Sequence, residues 1–302
     1  MNPIELSAEK IINTYYRLFV QQGINVSPVS KSAYNYEVTV SRFNEKLKIQ
    51  VYFGKRGNKV ILQGNKESKL YQKVSEIVFG PKLFDANDEL SEPENYIGTD
   101  ESGKGDYFGP LVIAGVFADK NMISLLKKAG VRDSKELGDS AIKKIAYEIK
   151  EIVGNGYDII MISPEKYNEL YEKFRNVNRL LGWAHAKVLE NILLNYNAAE
   201  AISDKFGDES YIRNSLQEKG KNILLHQITK AEKYTAVAAA SILARDKFND
   251  WFEKKNRELK IQLPKGASSG VEQTAASVKK IFGGEIMNKL VKLHFKTTQK
   301  IL

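Results

Sequence analysis

The spacing of hydrophobic and polar positions changes several times along the chain. From Ser7 to about Gln22 the apolar residues Ile11, Ile12, Tyr15, Leu18 and Phe19 recur at helical spacing, and Gly23 ends the run. Three runs of period two follow: Tyr36 to Val40, Leu47 to Phe53, and Lys59 to Gln63. A second helical stretch, from about Ser68 to Phe79, closes this unit. The pattern predicts an antiparallel sheet with helices on one face. In the middle strand Leu47, Ile49, Val51 and Phe53 share one face, and Lys46, Lys48, Gln50 and Tyr52 share the other. The first face should pack on the helices and the second should be exposed and basic.

Residues 80–95 are acidic, proline-containing and aperiodic, and residues 85–95 are read as a linker between a domain at 1–84 and a larger one at 96–302. In the larger domain strands alternate with helices. Strands are expected at 96–102, 109–118, 157–162, 199–204 and 222–227. Helices are expected at 120–129, 138–153, 164–174, 177–195, 209–218 and 232–257, with a helical tail from Gly270 onward. This is an α/β domain that opens on a hairpin.

Charge sharpens the picture of the first domain. The 302 residues carry 46 Lys/Arg and 37 Asp/Glu, a net charge of +9. Thirteen of the basic residues and only six of the acidic ones fall in residues 1–84. Arg42, Lys55, Arg56 and Lys59 flank the basic sheet face, with Glu45 the nearby acid. A solvated face is the plain alternative, but charge clustering favours a nucleic-acid partner, with Lys46, Lys48 and Tyr52 as contacts. The chain has no cysteine, which excludes disulfides, thiolate metal sites and cysteine nucleophiles. The N-terminus lacks a basic-then-apolar leader pattern, and no apolar run approaches the ~20 residues of a membrane span. A cytoplasmic monomer is expected.

The candidate chemistry is concentrated in Thr99-Asp100-Glu101-Ser102-Gly103-Lys104-Gly105-Asp106-Tyr107-Phe108-Gly109-Pro110. Two adjacent carboxylates, suited to hard cations, lead into a Gly-Lys-Gly turn whose backbone and lysine suit phosphate. The spacing is not that of a Walker A loop. Adjacent strand residues point to opposite faces, so Asp100 and Glu101 can share a site only near the strand end. Asp204 ends an apolar run, and Glu232 precedes the small-residue run Ala236 to Ile242, which suggests a helix packed closely on the sheet. Singly, these acids could be helix caps or surface residues. Among the histidines, His185 sits on an apolar helix and reads as a satisfied core residue, and none has the spaced partners of a metal site. Asp133-Ser134-Lys135 is either a support for the site or a turn.

The stretch Asp100 to Pro110 resembles the opening motif of type 2 ribonucleases H, and Gly103-Lys104-Gly105 resembles the ribonuclease HIII branch rather than HII. Asp133-Ser134-Lys135, Asn176-Val177-Asn178 with Trp183 to Ala186, Lys230 to Tyr234 with Ala238 to Arg245, Leu263 to Ala267 and Lys292 to Phe295 resemble further segments of that family, over about residues 96–298. The resemblance implies a ribonuclease H-like catalytic domain behind a small α+β TATA-box-binding-protein-like domain. It implies endonucleolytic cleavage of the RNA strand of RNA–DNA hybrids to 5′-phosphate and 3′-hydroxyl ends. It carries four catalytic and metal-binding carboxylates onto Asp100, Glu101, Asp204 and Glu232, with two Mg²⁺ or Mn²⁺ ions, and substrate contacts onto Ser102, Gly103, Lys104 and Gly105. Asp246 competes for the fourth place, but it lies about four helical turns beyond Glu232. Incision at single ribonucleotides in duplex DNA, as in HII, and hybrid binding without catalysis are the competing expectations.

Overall fold

A computed structural model describes residues 3–54, 57–65, 68–79 and 92–301. The chain divides into two compact units, Met1–Leu90 and Ser91–Leu302. Lys55, Arg56 and most of the expected linker fall outside the described residues. Its last residues, from Glu92, belong to the second unit and are tied into it. Glu92 Oε1 accepts from the Tyr96 hydroxyl at 2.8 Å and from the Thr235 amide at 2.6 Å.

The first unit runs α1 (Pro3–Gln21), β1 (Asn25–Val26), β2 (Ser30–Lys31), β3 (Asn35–Arg42), β4 (Glu45–Gly54), β5 (Gly57–Gln63) and α2 (Lys69–Phe79). All described strand pairs are antiparallel, in the order β1-β3-β4-β5, with β2 also on β3. Leu47, Ile49 and Val51 are buried with Ile12, Phe19, Leu70 and Val74 of the two helices. β1 and β2 were not anticipated, being too short to show a period.

The opposite face of β4 is less positive than the sequence suggests. Glu37, on β3, lies on that face and accepts from Lys48 Nζ at 3.1 Å and Gln50 Nε2 at 3.0 Å. The expected neighbouring acid, Glu45, is turned elsewhere. Its carboxylate accepts the Leu70 amide at 2.8 Å, in the first turn of α2.

The second unit runs β6 (Asn95–Ser102), β7 (Leu111–Asp119), α3 (Lys120–Lys128), α4 (Asp139–Val153), β8 (Tyr157–Ile162), α5 (Pro164–Phe174), α6 (Val177–Leu193), β9 (Glu200–Asp204), α7 (Ser210–Arg213), β10 (Leu224–Ile228), α8 (Thr235–Leu259), α9 (Ser269–Phe282), α10 (Glu285–Leu290) and α11 (Lys296–Ile301). The sheet order is β10-β9-β6-β7-β8. The β10–β9–β6 half is parallel, and the β6–β7–β8 meander is antiparallel. α6 covers one face, with Val188 and Ile192 against Gly115 of β7, and α8 covers the other, with its first turn against Gly98 of β6. Sequence-encoded caps start several helices. Asp119 accepts the Met122 amide, Ser163 that of Lys166 ahead of Pro164, and Asn176 those of Asn178 and Arg179.

Three expected helices change. The one at 209–218 shortens to α7, because the Glu190 carboxylate on α6 accepts the amides of Gln217, Lys219 and Gly220 and draws that backbone out of helical pairing. The helix expected from 232 begins at Thr235, since Lys230 is left-handed (φ 59°) and residues Ala231–Lys233 form a separate 3₁₀ turn. The tail breaks after Phe282 at Gly283-Gly284, and again where Val291 pairs with Phe108.

Candidate active site

Strand register brings the first three acids together. Thr99 pairs with Ser203 across the parallel β6–β9 ladder, so Asp100 and Asp204 follow at the same level on neighbouring strands, about 4.8 Å apart in the backbone. Asp100 faces α8, whose Ser241 lines the same cavity and favours the charged form of its carboxyl, and it accepts the Glu101 amide at 2.8 Å. Glu101 faces α6. Asp204 Oδ1 accepts the Ala231 amide at 3.1 Å, which pulls in the 3₁₀ turn that carries Glu232. The four carboxylates thus reach one cavity of about 500 Å³. Ser102 to Asp106, Asp133 to Lys135, Ser241, Arg245 and Lys265 also line it. Asp246 is not part of the lining. It is buried on α8, and its Oδ2 is 3.4 Å from Lys150 Nζ of α4.

The two adjacent acids have opposite electrostatics. Burial, reinforced by the charges of Glu101 and Asp204, pushes the Asp100 carboxyl well above the usual range. Burial acts the same way on Glu101, but His185 and the Lys104 ammonium outweigh it and hold Glu101 below its ordinary value. Lys104 Nζ is 3.6 Å from Glu101 Oε1. His185 is fully buried and its Nδ1 is 2.9 Å from Thr99 Oγ1, as a core histidine requires. The core reading was incomplete, because Nε2 also stands 3.3 Å from Glu101 Oε2, close but without hydrogen-bond alignment. The imidazole stacks on Phe206 at 4.9 Å, and the same ring lies 5.4 Å from Lys104 Nζ. The sequence spacing gave no hint of this, since Thr99, His185 and Phe206 lie on three separate segments.

A cationic rim faces the acids. Lys135 Nζ is 3.5 Å from Glu232 Oε1, and Ser134 Oγ is 2.9 Å from Ser241 Oγ, which puts Asp133-Ser134-Lys135 at the site rather than in a remote turn. Arg245 bonds the Ser134 carbonyl and, at 3.0 Å, Asp139, while Lys265 Nζ is 2.6 Å from Asn249 Oδ1. Gly103 floors the cavity at φ +90°, and a side chain there would meet the Pro110 carbonyl at 2.2 Å. Lys46, Lys48 and Tyr52 belong to the first unit, on β4.

Among the described residues no three His, Cys, Asp or Glu side chains stand close enough to enclose an ion as they are. The donor chemistry nevertheless fits a hard cation: four carboxylates converge on a cavity whose lining, among the described residues, includes no histidine or thiolate.

Residues 97–298 match the family described as Ribonuclease HII. Ribonuclease HIII of Protochlamydia amoebophila (strain UWE25) is 44% identical over 207 residues, covering 68% of both chains. Ribonuclease HIII of Chlamydia trachomatis serovar L2 is 36% identical over 253 residues, 82% of each. The chain belongs to the ribonuclease HIII family. Among solved structures, Bst-RNase HIII in complex with Mn²⁺ aligns with 96% of this chain and 95% of its own, at a TM-score of 0.63 and 27% identity.

The segments that resemble C-terminal ribonuclease HIII sequence have a structural role here. They lace the opening-motif loop in place. Tyr107 N donates to the Gly266 carbonyl at 2.9 Å, Gly266 N to Asp106 Oδ1 at 2.6 Å, and Lys292 N to the Tyr107 carbonyl at 2.9 Å. Lys292 is fully buried, and its ammonium donates to the carbonyls of Asp106 at 2.8 Å and Gly109 at 2.7 Å. Burial pulls that ammonium down to about 7. Lys292→Met keeps the volume and orphans both carbonyls, so it is expected to lower the unfolding free energy by about 2 kcal/mol. A lower urea midpoint at unchanged slope would report this.

Proposed function

We propose that this chain is an endoribonuclease that cleaves the RNA strand of RNA–DNA hybrids, leaving 5′-phosphate and 3′-hydroxyl ends. The carrying observation is the convergence of Asp100, Glu101, Asp204 and Glu232 on one cavity beside the Gly103-Lys104-Gly105 turn. Mg²⁺ or Mn²⁺ held by those four carboxylates would supply the charge that activates a water and stabilises the departing 3′ oxygen. The protein does the rest by positioning. The Glu101 amide orients Asp100, Ser241 favours its charged form, and His185 and Lys104 keep Glu101 ionised. The tight turn at Gly103 lets backbone N–H groups approach a phosphate, Lys104 adds a point charge, and Ser102 offers a hydroxyl. The same turn reads the 2′-hydroxyl that separates RNA from DNA.

The exposed face of β4, with Lys46, Lys48 and Tyr52, holds the hybrid through its backbone. This binding is independent of sequence and weakens with salt. Glu37 neutralises part of that face, which limits the number of phosphates it engages. Among the described residues no helix is long and apolar enough to cross a membrane. A cytoplasmic setting, which the cysteine-free composition fits, is part of the same reading.

The test is cleavage, with Mg²⁺ or Mn²⁺, of two labelled duplexes: a full RNA–DNA hybrid, and DNA carrying one ribonucleotide. Cutting of the hybrid alone is expected. Efficient incision at the lone ribonucleotide would move the activity to the HII type, and binding without cutting would sink the enzymatic reading.

Metal binding should also release a proton. Burial and the neighbouring acids push Asp100 up to about 8, so at neutral pH it holds its proton until a cation displaces it. Mn²⁺ affinity should therefore fall as pH drops below 8, by up to about tenfold per unit for one linked proton. Calorimetry in two buffers of different ionisation enthalpy reads the released proton directly, and equal heats would refute the assignment.

A further inference from the structure

We propose that the hairpin end joining β3 to β4 is a second nucleic-acid contact. It stacks an unpaired base on Phe43 and holds the neighbouring phosphates on Arg42, Lys69 and Lys73. This rests on the reading above that the chain binds RNA–DNA hybrids.

Two residues, Phe43 and Asn44, make the turn between Arg42 and Glu45. Phe43 is 94% exposed, the highest value among the exposed large hydrophobics of the described residues. Its φ is +51°, a left-handed conformation that bulky side chains rarely take and that Asn or Gly would adopt freely. A turn that needs only to reverse the chain has no use for an aromatic ring there. The Arg42 guanidinium lies 5.6 Å from the ring centroid. The ring stands beside a concavity of about 660 Å³, whose far wall is Lys69, Leu70 and Lys73 of α2.

The charge of this concavity selects the ligand. Among the described residues, Arg42, Lys69 and Lys73 line it against one acid, Glu45. That carboxylate is already engaged, accepting the Leu70 amide at 2.8 Å. An apolar ring bordered by three cations suits a base attached to its phosphates, because every base offers a π-face and every nucleotide brings one negative charge. The ring also selects the conformation of the ligand. Bases inside a hybrid are covered above and below by their neighbours, so Phe43 can stack only on a base at a strand end or in a single-stranded extension. The contact differs in kind from the basic face of β4, which meets phosphates without needing an open base.

The experiment uses the full chain with EDTA, so that no cleavage occurs. Binding is read by anisotropy on a blunt RNA–DNA hybrid and on the same hybrid with a short single-stranded extension carrying 2-aminopurine. The extension is expected to tighten binding about tenfold and to quench the 2-aminopurine. Phe43→Ala should remove both the gain and the quench while leaving blunt-hybrid affinity unchanged, and Phe43→Trp should restore them. Lys69→Gln with Lys73→Gln should reduce the gain and its salt dependence. Equal affinity for the two duplexes, or a full gain retained by Phe43→Ala, would overturn the inference while leaving hybrid binding intact. Failure of the wild-type chain to bind either duplex would overturn the hybrid-binding reading and this inference with it.

Discussion

Asp100→Asn is expected to abolish cleavage, by roughly a thousandfold or more, while changing hybrid affinity little. The size follows from what the carboxylate does. A metal's stabilisation of developing charge is worth several kcal/mol, and each 1.4 kcal/mol is about tenfold in rate. Asn keeps the shape of Asp100 and can still accept the Glu101 amide, but it cannot carry the negative charge that a cation among Asp100, Glu101 and Asp204 would meet. Binding should survive because the phosphate contacts assigned to Lys104 and to β4 are untouched.

The same substitution should stabilise the protein when no metal is present. The folded-state pKa of Asp100 is raised above its unfolded value, so ionising it opposes folding. The penalty is absent below the ordinary carboxylate range, grows as pH rises, and is complete above about pH 8. The melting temperature of Asp100→Asn in EDTA should therefore exceed that of the wild type by most at alkaline pH and by nothing near pH 3. A variant that loses cleavage and gains no stability at any pH would show that Asp100 is not the strained member of the cluster.

Much of this site was legible because β-structure and small-residue patterning are local. The run Leu111 to Ala118 is buried throughout in β7, as a continuous apolar run predicts, and Ala236 to Ala240 packs on the sheet as its small side chains imply. Asp100, Glu101 and Asp204 could be nominated from strand ends, and Glu232 from the start of a small-residue helix. Their meeting could not, because it depends on the parallel register of β6 with β9 and on the left-handed residue Lys230 that sets Glu232 ahead of α8. The partners that tune the acids were hidden for the same reason. His185 reads as a core residue from its own helix, and only the third dimension shows its second nitrogen facing Glu101. Lys292 reads as one more cation in a lysine-rich tail, yet it is among the most deeply buried side chains and holds the opening loop. Charge counting also missed Glu37, because only strand pairing places it beside Lys48.

Gly98→Ala is expected to cost about 3 kcal/mol, near the upper end for overpacking, and to lower the melting temperature by roughly ten degrees. A methyl at Gly98 would sit 2.2 Å from the Val237 amide nitrogen and 2.3 Å from the Ala236 carbonyl carbon. Both are backbone atoms of the first turn of α8, so no side chain can rotate away and the helix itself must shift. That turn is anchored from the strand it packs on, since the Ala236 amide donates to the Tyr96 hydroxyl at 2.9 Å and the Thr235 amide to Glu92. Ser241 and Arg245, which line the cavity, ride on the same helix, and Glu232 sits in the turn just before it. Displacing α8 therefore loosens the acidic cluster as well as the core, and cleavage should fall even at temperatures where the variant is folded. Gly105→Ala is the control, because no atom outside its chain neighbours lies within 4 Å of the added carbon and its stability should match the wild type within about 0.5 kcal/mol. If both substitutions destabilise alike, glycine's backbone freedom is responsible. If Gly98→Ala alone does, the close approach of α8 to β6 is what holds the two halves of the site together.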